Sequence, residues 1–291
     1  DAIIPVYFSG KIKKAKLVYD AHEYFSEMKE VITRKSVHYF WKKIEMFFVP
    51  KFKSGYTVSY KIAEEFKIKY NVDYEVIMNV PYLDKSDNFH FETNKKLIYQ
   101  GAVNQGRGLE YLIPSMKSID MVLDIYGDGN FMKQTQNLIE ANQLQNKVFL
   151  KGKLNPGDLK KITSEYFMGI NLVENVGLNQ YYSLANKFFD YIHAEIPQIT
   201  MNYPEYSRIN SEFEIALCID DLKIETISDA INKLINEKIE YEKLKLNCSK
   251  AKLVLNWQNE SLKLLSFYNK NKKFLNIIIN CLLKIFEYLF Y

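Results

Sequence analysis

The sequence predicts an α/β protein built on parallel sheets, and three observations carry that prediction. Short apolar runs suited to buried strands alternate with amphipathic runs suited to helices along most of the chain, and such alternation means parallel strands with helices on both faces. A polar, non-periodic stretch at 82–95, YLDKSDNFHFETNK, divides the alternation into two series. The chain has 291 residues, 47% hydrophobic and 25% charged, enough for about two globular domains with an ample core.

The elements follow in order. KLVYDA (16–21) is a short apolar run that reads as a strand, and residues 33–49 are helical in pattern up to Pro50. GYTVSY (55–60) reads as a strand, KIAEEFKIKY (61–70) as an amphipathic helix and YEVIMNVP (74–81) as a strand closed by Pro81. The second series opens with the strand KLIYQG (96–101) and a helix, GLEYLIPSMKSI, that must accommodate Pro114. MVLDIYGDG is a strand running into a glycine loop; NFMKQTQNLIEANQL is a helix, KVFLKG a strand and PGDLKKITSEY a helix. MGINLVE (strand), LANKFFDYIHAE (helix), PQITM and EIALCID (strands) and ETISDAINKLINE (helix) complete it. The implied division is residues 1–82, a linker at 83–95, a second unit at 96–252, a C-terminal helix at 253–270 and an apolar tail at 271–291.

In open parallel sheets, ligands bind beyond the carboxyl ends of the strands. That filter selects Asp20, His22 and Glu23 after the first strand, Gly101 after KLIYQG, Gly127 and Gly129 in the GDG loop, and Glu174 after MGINLVE. YQGAVNQGRGLEYL sets Gly101, Gly106 and Gly108 around Arg107 just before a helix. Glycines allow close backbone approach, helix N-termini attract anions, and an Arg fork matches phosphate oxygens. The spacing is not G-x-G-x-x-G, so these residues read either as a phosphate cradle or as ordinary turn glycines. Downstream, the polar run Asn179–Ser183 precedes a helix carrying Lys187 and Asp190 three residues apart, close to one face. A point cation for a diphosphate and an acceptor-only carboxylate for ribose hydroxyls would read a nucleotide; a surface ion pair is the plain alternative.

Taken in order, LVYDAHE, TVSYKIAEEF, VIMNVP, YQG…GRGLEYL, IYGDG, SLANKFFDYIHAEIPQIT and NWQNESLKLLSFY resemble a GT-B fold glycosyltransferase. The sequence is most similar to the family 4 group of retaining enzymes that use nucleotide sugars. The resemblance implies two Rossmann-like domains facing a cleft, with the donor on the C-terminal one. It implies that Arg107 serves the diphosphate and Asp190 the ribose. It also implies that His22 faces the donor sugar from the N-terminal domain, with Glu23 beside it as a second candidate catalytic group. The donor-binding set is then Gly101, Arg107, Gly108, Gly127, Gly129, Tyr182, Ser183, Asn186, Lys187 and Asp190. Two positions depart from the family: Ala102 stands where Arg often follows the first glycine, and Tyr182 stands eight residues before Asp190 where the family has Glu. Diphosphate and sugar contacts are therefore expected around Lys187 and Ser183. No metal or other cofactor is expected, since no Asp-x-Asp or His/Cys cluster occurs. His22 reads otherwise as a structural histidine at a loop start, with Asp20 orienting it or capping the loop.

The implied function is transfer of a sugar from a nucleotide-diphosphate sugar to a glycan or lipid-linked acceptor, in cell-surface polysaccharide or lipopolysaccharide synthesis. A non-catalytic transferase-like assembly subunit is the alternative that Ala102 keeps open. A nucleotide-sugar 2-epimerase ranks lower, because it would need more catalytic His and acid pairs than four histidines permit. The net charge of +4 is too small to argue for nucleic acid. Three widely spaced cysteines, Cys218, Cys248 and Cys281, form no disulfide framework and fit a reducing cytoplasm. The chain opens at Asp1 without a signal peptide, and the resemblance implies that the N-terminal domain is incomplete. Two stretches suggest an anionic membrane surface as partner, or else ordinary core-facing helices. Residues 34–53 hold six Lys/Arg and one Glu among Phe40, Trp41, Phe47 and Phe48, and residues 274–291 are strongly apolar behind Lys270, Lys272 and Lys273.

Overall fold

The computed structural model describes residues 2–84 and 94–270. The chain begins with α1 (Ile3–Ile12), β1 (Val18–Ala21), α2 (Lys29–Ile32), α3 (Lys35–Phe48), β2 (Ser54–Thr57), α4 (Tyr60–Tyr70) and β3 (Glu75–Val76). β1, β2 and β3 pair in parallel as a three-stranded sheet, with Asp20 opposite Tyr56. α4 starts at Ser59, whose hydroxyl accepts from the Ile62 amide, the expected N-cap bond.

The second series is β4 (Asn94–Gln100), α5 (Leu109–Ser115), β5 (Val122–Tyr126), α6 (Met132–Ala141), β6 (Val148–Gly152), α7 (Pro156–Thr163) and β7 (Tyr166–Asn171). It continues with α8 (Leu178–Tyr181), α9 (Asn186–His193), β8 (Gln198–Met201), α10 (Pro204–Phe213), β9 (Ala216–Ile219), α11 (Ile224–Asn236), α12 (Lys238–Ala251) and α13 (Trp257–Lys270). Its six strands are all parallel, in the order β6-β5-β4-β7-β8-β9. Renumbered within the sheet this is 3-2-1-4-5-6, the dinucleotide-fold order, whose switch point lies between β4 and β7. The core is continuous apolar packing of Leu97, Leu123, Ile125, Met168, Ile170 and Ile199 from the strands with Leu112, Phe188, Ile192, Ile227 and Ile231 from the helices.

Three expectations change. The strand foreseen at 74–81 pairs only at Glu75–Val76; beyond it the Met78 amide leaves the sheet to donate to Glu260 Oε2 of α13 at 2.9 Å. The run Asn179–Ser183 does not simply precede a helix, because α8 covers its first half. α1, α10 and α12 had no counterpart in the sequence reading. Most of the linker foreseen at 83–95, and the whole tail 271–291 with Cys281, lie outside the described residues.

The two sheets meet through specific bonds. Asn179 Oδ1 accepts from the Tyr24 amide at 2.8 Å, and Glu205, 1% exposed, accepts from the Lys61 amide at 2.7 Å. The second bond caps α4 from the opposite sheet's layer, so a buried carboxylate finds free helix amides as its partners.

Candidate functional site

A cavity of about 920 Å³ lies between the carboxyl ends of the two sheets. From the first unit it is lined by Asp20, His22 and Glu23 at the end of β1, by Phe25 in the loop that follows, by Trp41 and Ile44 of α3 and by Phe52. From the second it takes Tyr99 and Gln100 at the end of β4, Gly101, Ala102 and Arg107 after it, and Ser183 through Lys187 with Asp190 at the start of α9. Gln100, Gly101 and Arg107 thus stand at the switch point that the strand order defines.

Electrostatics on the second-sheet side are unbalanced. Lys187 Nζ is buried without a hydrogen-bond partner and rests 3.6 Å from the centre of the Tyr99 ring. Burial, reinforced by the nearby Arg107 charge, holds its ammonium pKa well below the ordinary value; Asp190 opposes the shift. Among the described residues Arg107 has no carboxylate partner within salt-bridge distance. On the second-sheet side of the cavity, Arg107 and Lys187 thus face a single lining carboxylate, Asp190; Asp20, Glu23 and Glu45 line the first-sheet side. Asp190 accepts from Gln100 Nε2 at 2.9 Å, and Gln100 Oε1 in turn accepts from Thr163 Oγ1 at 3.0 Å. Burial pushes the Asp190 carboxyl up to about 6, against the Gln100 bond and the Lys187 charge. Gln100, which the sequence reading passed over, orients the acid; its position just before Gly101 at a strand end was the available signal.

Around these groups the backbone is open. Gly101 has φ +121°, and a Cβ there would lie 3.5 Å from Lys187 Cε. α9 begins at Asn186 with no side-chain cap, which leaves first-turn amides without helical partners. Ser183 Oγ donates to Gln180 O, and Asn186 Oδ1 accepts from Asn79 Nδ2 at 3.0 Å.

Four residues of the expected donor set do not line the cavity. A Cβ on Gly127 would fall 1.8 Å from Gly101 O, one on Gly129 2.3 Å from Val103 O, and one on Gly108 2.6 Å from Leu172 Cβ. These glycines let the loops after β4, β5 and β7 pack on one another, outside the cavity lining. Tyr182 packs instead against the core cluster of the first sheet around Ala21 and Tyr24. Glu174 also stands outside the main cavity, paired with Lys29 at 3.7 Å.

His22 and Glu23 are exposed at the cavity wall. His22 Nε2 lies 3.1 Å from Asp20 Oδ2, so Asp20 orients the imidazole, one of the two roles the sequence left open for it. Among the described residues no group of three His, Cys, Asp or Glu side chains is placed to hold a metal ion.

The profile described as "Glycosyl transferases group 1" matches residues 83–251, more than half of the chain. No curated protein matches the sequence. Among solved structures, that of Anabaena HepE in complex with UDP and glucose superposes with a TM-score of 0.75 at 11% identity, covering 92% of this chain and 75% of that one. A Staphylococcus aureus TarM mutant in complex with UDP superposes with a TM-score of 0.71 at 16% identity, covering 91% of this chain. This chain spans only 53% of the TarM chain. WaaG, a glycosyltransferase involved in lipopolysaccharide biosynthesis, gives 0.63 at 15% identity, with coverages of 84% and 75%.

Proposed function

The chain belongs to the glycosyl transferases group 1 and has the GT-B fold, and from that premise we propose that its cavity binds a UDP-hexose and transfers the hexosyl group to a glycan or lipid-linked acceptor. The carrying observation is the unbalanced charge at the switch point. Lys187 stands beside open backbone at Gly101, Arg107 lines the same cavity, and Gln100 fixes the orientation of Asp190. A diphosphate supplies the missing negative charge, so Arg107 provides a fork and Lys187 a point cation. A ribose supplies two hydroxyl donors for the Asp190 carboxylate. UDP is the nucleotide named for HepE and TarM, which supports it as the first donor to test.

On this reading His22 acts on the donor sugar from the opposite wall, taking a hydrogen bond from a sugar hydroxyl at the ring nitrogen that Asp20 leaves free. Glu23 contacts sugar or acceptor. Transfer with retention, and a place in cell-surface polysaccharide or lipopolysaccharide synthesis at the cytoplasmic face of the membrane, extend the same proposal. Calorimetric titration with UDP tests it. Asp190→Ala and Arg107→Ala should each cost about 2–5 kcal/mol of binding, the scale for truncating one member of a buried charged hydrogen bond. Unaltered affinity in both variants contradicts the assignment.

A further inference from the structure

His22 is held by more than its immediate neighbour. Asp20 lies at the end of β1, directly opposite Tyr56 in the β1–β2 register. The Tyr56 hydroxyl donates to Asp20 Oδ2 at 2.9 Å, the same oxygen that lies 3.1 Å from His22 Nε2. The Tyr56 ring meets Phe267 of α13 edge-on at 5.2 Å and Tyr268 of the same helix at 6.5 Å. A phenol has one proton, and that of Tyr56 is committed to Asp20. The three groups form one line: Tyr56 donates to Asp20, and His22 Nε2–H donates to Asp20 from the other side.

A helix of the second series packs on this line. α13 comes from the far end of the chain, yet it is fixed on the first sheet by Lys270 to Glu75 at 3.0 Å and by Glu260 Oε2 on the Met78 amide. Burial raises the Tyr56 pKa above the ordinary phenol value, and the Asp20 charge adds to the shift. The hydroxyl therefore keeps its proton and remains a donor throughout the working pH range. Asp20 is 41% and His22 66% exposed at the side chain, so the bond between them alone would be a loose constraint. A carboxylate clamped by a second donor from a fixed aromatic pair is a tighter one.

We propose that Tyr56, held by the packing of α13 on its ring, is a positioning residue for His22 and through Asp20 sets the tautomer and orientation of the imidazole. The bond to Asp20 selects the Nε2–H tautomer and leaves Nδ1 as the ring's free acceptor. The catalytic consequence rests on the reading of His22 given above; the tautomer does not.

The test separates the two. Long-range proton–nitrogen correlation spectra of protein labelled at the histidine ring nitrogens report the tautomer, with His22→Asn assigning the signal. The native protein should show Nε2–H for His22. Tyr56→Phe keeps the ring that packs on Phe267 and should move His22 toward a mixture. In parallel, release of UDP from UDP-glucose should show kcat falling roughly 3- to 10-fold in Tyr56→Phe with KM unchanged, the effect of one lost hydrogen bond. In a His22→Asn background the same substitution should add nothing. A His22 tautomer unmoved in Tyr56→Phe overturns the inference, as does an equal loss of kcat without His22. If His22→Asn leaves kcat unchanged, the catalytic reading of His22 fails, and the tautomer alone still decides whether the line exists.

Discussion

Asp190 and Lys187 combine burial with opposite effects on charge, and this fixes how ligand binding should respond to pH. The Asp190 carboxyl is raised to about 6 by burial, above the ordinary carboxylate value. Above that pH it is ionised, and on the proposed assignment it then accepts from both ribose hydroxyls; below it a proton occupies one acceptor site. Lys187 is lowered well below the ordinary ammonium value by burial and by Arg107, so its charge is lost on the alkaline side. Affinity for UDP-glucose, whose diphosphate does not titrate in this range, should follow a bell. Its acid limb should lie near pH 6, with about a tenfold loss at one unit lower. Asp190→Asn should remove the acid limb and leave the alkaline one; an acid limb that survives the substitution contradicts the assignment. At this scale the sequence was legible where spacing carried the chemistry: Lys187 and Asp190 three apart on one helix, and Arg107 between two glycines. It was silent on Gln100, Thr163 and Tyr99, because their importance lies in contacts made 60 or more residues away in the chain.

At the scale of elements, local chemistry explains both what was readable and what was not. The glycine at 127 is required because its missing Cβ leaves room for Gly101 O; the residue type was visible, but the partner that demands it was not. α6 ends in a full Schellman arrangement, with the Gln143 amide on Glu140 O and the Leu144 amide on Ile139 O. Gln143 sits at φ +59° in the position usually held by glycine. The left-handed conformation costs a side-chain-bearing residue about 1–2 kcal/mol, partly offset by the greater freedom glycine gains on unfolding. Gln143→Gly should therefore stabilise the protein by about 0.5–1 kcal/mol in urea denaturation, whereas Gln143→Ala should give no gain. A destabilised Gly variant would show that the Gln143 side chain makes a compensating contact. α1, α10 and α12 escaped the sequence reading for a related reason. IIPVYF at the start of α1 is apolar on every side, while α10 and α12 are rich in polar and charged residues, so neither kind shows a clear stripe.

The whole molecule follows from parallel alternation, but its surface does not. Residues 34–53 contain α3, which faces two ways. Phe48 is buried against Tyr7 and Trp41 lines the cavity, as the core-facing alternative for this stretch has it. Tyr39, Phe40, Met46 and Phe47 are 55–66% exposed, beside Phe8 and Ile12 of α1. Lys51 Nζ lies 4.0 Å from the Phe47 ring centre, and Lys43 covers Tyr39. Exposed aromatics interleaved with lysines suit the headgroup region of an anionic bilayer. No helix among the described residues is long and apolar enough to cross a membrane. We propose peripheral docking through this face. Phe40→Ser with Phe47→Ser should abolish sedimentation with phosphatidylserine vesicles while preserving the melting temperature, and high salt should weaken the native interaction. Vesicle binding that survives the double substitution excludes this face.

The central claim, that the nucleotide sugar sits at the switch point between β4 and β7, is tested most directly by amide hydrogen exchange with and without UDP-glucose. Protection should concentrate in two segments, the loop Gly101–Gly108 and the run Ser183–Asp190 that opens α9, because the diphosphate is placed on the first and the ribose on the second. Protection confined to other parts of the chain, or none at saturating UDP-glucose, would contradict the account.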